Sequence, residues 1–149
     1  MSHKKPRHLF QPRTAKIPRT VEDPTAQRKE NRKEKLRWSF EIFDNGKEWH
    51  DDQYSPIFNE IAGHLKSFEQ RTWGEIEADR KYYHAVPVVN LIPDAQSRLT
   101  LLKLDENDPL TRLRFTGRQR AWGFRRGHLF MLVWWDPQHR ICPSRLKNT

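Results

Sequence analysis

The chain has 149 residues, one cysteine and a formal net charge of +9 at neutral pH. That length suffices for one domain with a buried core, and the lone Cys142 excludes an intramolecular disulfide, as expected in a reducing compartment. No apolar run is long enough to span a bilayer and no apolar signal core opens the chain, so a cytoplasmic, non-membrane protein is expected.

Charge is unevenly placed. Residues 1–35 carry eleven basic and four acidic groups, residues 36–110 eight and fourteen, and residues 111–149 nine and one. Two basic segments on a mildly acidic middle point to a polyanionic partner. In residues 1–35, Pro6, Pro12, Pro18 and Pro24 are set among few apolar residues, which predicts an extended or partly disordered basic arm, helical at most near 25–35.

The domain is expected over 36–143. Leu36, Trp38, Phe40 and Ile42 alternate with polar residues as a strand does, and Asp44-Asn45-Gly46 ends it as a turn. Ser55-Pro56 reads as the start of a helix whose apolar face is Ile57, Phe58, Ile61, Leu65 and Phe68. Thr72 and Glu75 form a capping box, which predicts a second helix running to about residue 80. From Val86 the pattern becomes strand-like, with Val86–Ile92 stopped by Pro93-Asp94 and a second run over Leu99–Leu104. After a polar connector at 105–109, Leu110–Phe115, Arg118–Arg125 and His128–Trp135 follow as strands. Gly117 and Arg126-Gly127 mark the breaks between them, and Ile141-Cys142 is a candidate short strand. The prediction is an α+β fold of two layers: an N-terminal strand, two helices, then an antiparallel sheet of three to five strands. The helices would cover one face of the sheet and leave the other open for arginines. Residues 144–149 form a tail.

The hairpin Arg118-Gln119-Arg120-Ala121-Trp122-Gly123-Phe124-Arg125 with Leu129–Trp134, followed by Trp135-Asp136-Pro137-Gln138-His139, resembles the end of the RelE/ParE superfamily of bacterial type II toxins. These are small basic domains with the element order predicted here, and the likeness covers roughly residues 36–143. The arm and the polar segment 94–109 depart from the family, which is usually shorter. The resemblance implies a toxin of a toxin–antitoxin system: a metal-independent endoribonuclease that cleaves mRNA, commonly on the ribosome, and is neutralised by a cognate antitoxin protein. Some relatives instead inhibit DNA gyrase and cleave nothing. No metal and no cofactor is expected.

RNA cleavage by internal transfer needs a base for the 2′-hydroxyl, an acid for the 5′-oxygen and cations for the phosphorane charge. His139 is the leading acid/base candidate, with Asp136 three residues earlier to orient its ring. Arg118 and Arg120 share a strand face by their spacing of two, and Trp122 and Phe124 continue that face, so the four could bind a phosphate and stack a base. Lys81 and His84, between helices and sheet, are candidates for a phosphate clamp and a second acid/base group. Arg114, Arg125 and Arg126 are candidate RNA contacts. Trp135 alternates with Trp134, so one of the two is expected to face away from the core as a stacking platform or an antitoxin contact. The reading that competes most closely is a non-catalytic RNA- or DNA-binding protein using the same basic face and arm; a gyrase-inhibiting toxin is a further one.

Overall fold

The computed structural model describes residues 31–106 and 109–143; the expectations for the arm over 1–30 and for the tail from 144 lie outside them. Three helices and a five-stranded mixed sheet make an α+β fold. The strands are β1 (Arg37–Ser39), β2 (Tyr83–Val86), β3 (Leu110–Arg114), β4 (Arg120–Arg126) and β5 (Leu129–Asp136), in the order β1-β5-β4-β3-β2. β1 runs parallel to β5, and every other pairing is antiparallel. The helices are α1 (Phe58–Glu69), α2 (Trp73–Ala78) and α3 (Pro93–Leu101). None is long and apolar enough to cross a membrane.

The chain reaches this arrangement by strong local signals. Thr72 accepts a hydrogen bond from the Glu75 amide at 3.2 Å and caps α2, as the capping box requires. Gly127, at φ +59°, opens the two-residue turn that joins β4 to β5. Residues 32–35 add a layer of backbone bonds to the start of α2, from Trp73 to Glu34 and from Gly74 to Arg32.

Both faces of the sheet are covered, so the fold has three layers rather than two. On one face α1 and α2 bury Phe68, Trp73 and Ile76 against Leu36, Leu113, Ala121, Phe130 and Leu132. On the other, Ala95 and Leu99 of α3 join Trp49, Leu104 and Ile141 over Leu110, Trp122, Phe124, Val133 and Trp134. This second layer departs from the two-layer expectation, in which Leu99–Leu104 is a strand and Pro93-Asp94 a stop. Pro93 is instead the first residue of α3, where a missing amide hydrogen costs nothing. Ala95 and Leu99 recur at the helical spacing of four and are both wholly buried. The Val86–Ile92 run is likewise short: β2 ends at Val86 and residues 88–90 form a 3-10 turn. The first strand is cut to three residues, since Phe40 is 54% exposed and the chain turns there. α1 starts at Phe58, not at Pro56, and its first turn leaves Ile57 and Phe58 in solvent.

α3 is pinned to the sheet by charge as well as by packing. Arg98 grips Asp44 with two nitrogens, at 2.7 and 2.8 Å, and the same carboxylate accepts the Trp134 indole N–H at 2.9 Å. Burial raises the Asp44 pKa, but the bonds from Arg98, Trp134 and the Gly46 amide outweigh it and leave it lowered.

A bulge sets which face the end of β5 presents. Trp122 pairs with Trp134 but Gly123 pairs with Leu132, so Val133 is the extra residue. Before the bulge Phe130 and Leu132 face α1 and α2; after it Trp134 faces α3 and Trp135 the other side. Asp136, two residues beyond Trp134, therefore lies on the α3 face.

Candidate functional site

The α3 face has two parts. Its centre is the apolar layer just described. Its end, where β3 and β5 finish and β4 begins, is basic. Strand register places the residues in rows, because directly opposed residues share a face with Cβ atoms about 5 Å apart. His84, Arg112, Trp122 and Trp134 form one row, and Arg114, Arg120 and Asp136 the next. His139 follows β5 by three residues and is turned back over this end. Arg120, Arg112 and Arg114 all act electrostatically on its ring.

Asp136 builds the turn that carries His139. Its carboxylate is wholly buried and accepts three bonds: from the Arg140 amide at 2.8 Å, the Ile141 amide at 3.1 Å and the Trp122 indole at 3.1 Å. All three partners are donors, which suits an ionised carboxylate, although burial raises its pKa. The turn so fixed holds His139 at φ +57°, a left-handed conformation unusual outside glycine and stored where the surroundings enforce it. Asp136 therefore acts on the backbone around His139. The expectation that it orients the imidazole through a ring contact is corrected: its oxygens are taken up by the two amides and the indole.

The electrostatics follow from this crowding. Burial, then Arg120, Arg112 and Arg114, push the His139 pKa down to about 4, against a backbone hydrogen bond with Cys142 that raises it. The imidazole is neutral at neutral pH. Arg120 is 6% exposed, and burial with Arg112 and Arg114 lowers its pKa to about 10 despite Asp136. It stays charged. Its Nη1 donates to the carbonyls of Gly117 at 2.7 Å and Gln119 at 3.0 Å, which locks the guanidinium to the β3–β4 turn. Burial also lowers the pKa of Arg112. Arg112 Nε, Arg120 Nε and His139 Nε2 are buried and have no hydrogen-bond partner among the described residues. Three guanidiniums thus face one carboxylate, and Arg114 sits directly across from Arg120. Like charges so paired destabilise a sheet, and unmatched buried donors cost more. Such a cost marks this end of the sheet as a candidate functional site.

The predicted residues divide accordingly. His139, Arg120, Arg114 and His84 come together on one face. Arg118 lies at the same end but in the exposed turn before β4, so the strand alternation that paired it with Arg120 does not hold. Lys81 is exposed in the turn that leads into β2, at that end too, since Tyr82 accepts a bond from the Arg114 amide. Trp122 and Phe124 are corrected from base-stacking residues to core: both are buried under α3. Arg125 is corrected as well. It points to the opposite face, pairs with Glu77 and lies over the Trp73 ring at 4.1 Å, so it ties α2 to the sheet. Arg126 is exposed at the far end of β4, about 20 Å along the strand from Arg120. Trp135 is half-buried among Phe115 and the α1 side, and Trp134 is in the other core, so neither is an exposed platform. Arg112 joins this cluster as a candidate residue that the sequence pattern did not single out. Its spacing of two from Arg114 carried the signal, by the same alternation that was applied to Arg118 and Arg120.

No family model, no curated protein and no solved structure matches this chain.

Proposed function

We propose that this chain is a metal-independent endoribonuclease that binds RNA phosphate at Arg112, Arg114 and Arg120 and uses His139 as its base, acting as the toxin of a toxin–antitoxin pair. The observation that carries the reading is the gathering of three guanidiniums with a neutral, partnerless imidazole nitrogen on one half-buried end of the sheet. The resemblance to RelE-like toxins supports the biological setting, including mRNA on the ribosome as substrate and an antitoxin as partner.

In this reading the guanidiniums hold the two non-bridging oxygens of a phosphodiester. His139 Nε2 removes the 2′-hydroxyl proton, the 2′-oxygen bonds to phosphorus and the bond to the 5′-oxygen breaks. The products are a 2′,3′-cyclic phosphate and a 5′-hydroxyl end. A neutral His139 suits the base and not the acid. His84, exposed beside Arg112, supplies the proton to the leaving oxygen. Burial is the larger cause of the low His139 pKa and the arginine charges come second; a bound phosphate offsets those charges and so raises its basicity in part when substrate is in place.

The low pKa of His139 also favours a second reading, in which the same cluster binds nucleic acid and cleaves nothing. Induced expression in a bacterium, followed by mapping of RNA 5′ ends, separates the two. Growth arrest with new 5′-hydroxyl ends, both lost in His139→Gln and Arg120→Gln, is the expected result. Intact RNA and normal growth with the wild-type chain would overturn the nuclease reading.

A further inference from the structure

We propose that the cluster of Arg112, Arg114, Arg120 and His139 is selective for phosphate dianions, so that it takes the terminal phosphate of a nucleic-acid or nucleotide phosphomonoester in preference to the monoanionic phosphate of an internal diester. The inference rests on reading this cluster as a phosphate site and adds the class of phosphate it prefers.

Charge is the first argument. Three guanidiniums face one carboxylate, Asp136, whose oxygens are engaged by three N–H donors. His139 is uncharged at neutral pH; His84 and Cys142 lie beside the cluster, Arg118 and Lys81 are exposed at its rim, and Arg140 is paired with Asp51. Within the cluster itself the surplus is two positive charges, and the rim cations add to it. A phosphomonoester carries close to two negative charges at neutral pH; a diester carries one and leaves the repulsion between Arg114 and Arg120 half compensated.

Access is the second argument. Arg120 is 6% exposed and is held down by the carbonyls of Gly117 and Gln119. Its Nε, together with Arg112 Nε and His139 Nε2, forms a set of buried nitrogens without partners among the described residues. Reaching these covered nitrogens requires the side chains over them to part, and a terminal phosphate then offers three unesterified oxygens to the set with one substituent trailing out. An internal phosphate offers two and must pass chain on both sides.

The same selectivity serves the proposed reaction. Attack by a 2′-oxyanion on a monoanionic diester makes a dianionic phosphorane, so a dianion site stabilises the transition state more than the ground state.

The test is calorimetric titration of the full-length chain at neutral pH with sulfate, inorganic phosphate and dimethyl phosphate. A short single-stranded RNA is then compared with and without a 3′-phosphate. Sulfate and phosphate are expected to bind at least about tenfold more tightly than dimethyl phosphate, and the 3′-phosphate to add about as much. Arg112→Gln and Arg120→Gln should each erase the preference, and Arg118→Gln should keep it. Circular dichroism checks that the variants fold, and the less buried Arg112→Gln and Arg114→Gln carry the test if Arg120→Gln does not. Equal affinity for mono- and dianions, or no saturable phosphate binding, overturns the inference. Cleavage without dianion preference would sink this inference alone, whereas dianion preference without cleavage would sink the nuclease reading alone.

Discussion

His139 shows how one residue can be costly to the fold and useful to a site. It adopts a left-handed backbone conformation and its ring is half-buried among three arginines. In the unfolded chain a histidine titrates near 6.5, while here the pKa is about 4. As pH falls, the unfolded chain therefore takes up this proton first. The contribution is fully present above about pH 6.5 and is lost progressively toward pH 4, at most about 3 kcal/mol. Denaturant titrations of wild type and His139→Gln at pH 7 and at about pH 4.5 check this. The variant should lose less stability on acidification. Arginines at this scale are not interchangeable either. Arg120→Gln should weaken RNA binding by about tenfold or more, because a desolvated guanidinium is lost. Exposed Arg118→Gln should change it by less than about threefold at physiological salt. Fluorescence anisotropy with a labelled RNA measures both.

Among the elements, the β4–β5 ribbon is the most constrained. A Cβ at Gly123 would land on the carbonyl oxygen of Met131 and the ring of Phe130, just where the bulge moves Val133 out of register. Gly123→Ala should cost about 2 kcal/mol or more and shift the end of β5, so urea unfolding and phosphate binding should both suffer. The Arg125–Glu77 pair over Trp73 does a different job, since it lies on the opposite face and fastens the short helix α2. Glu77→Gln takes the Glu77 carboxylate away from a mostly buried guanidinium and should cost about 3 kcal/mol, with RNA affinity unchanged for the fraction that is folded. A loss of RNA affinity in that variant would restore Arg125 as a contact.

At the scale of the molecule, covering both faces of the sheet leaves no open basic face among the described residues. It confines the proposed phosphate contacts to one end, with Arg118 and Lys81 at its rim and Arg126 at the far end. Binding should therefore depend on salt through a small number of phosphates. A slope of log affinity against log salt near −2 to −3 is expected for single-stranded RNA engaging three or four cations. A much steeper slope would mean that the arm or the far end also engages RNA.

What the amino-acid order determined by itself is local and periodic. The capping box at Thr72, the break at Gly127, the three C-terminal strands and the concentration of arginine among them are legible because each depends on neighbours within a few residues. His139, Arg120 and Arg114 were reachable in the same way. The second layer was not, because an apolar run over Leu99–Leu104 has the same composition as a strand or a helix, and only packing against Trp122 and Phe124 decides between them. Tertiary structure alone decided which of these charges are paired within the fold. Arg125 and Arg112 look alike in the chain, yet Glu77 reaches one across the helical face, and the other lies among like charges with its Nε unmet. Asp136 and His139 likewise look like a dyad by spacing, but that carboxylate accepts instead from two backbone amides and an indole. The pairing of a charge is set by what the fold brings within hydrogen-bond distance, a long-range quantity that no local pattern encodes.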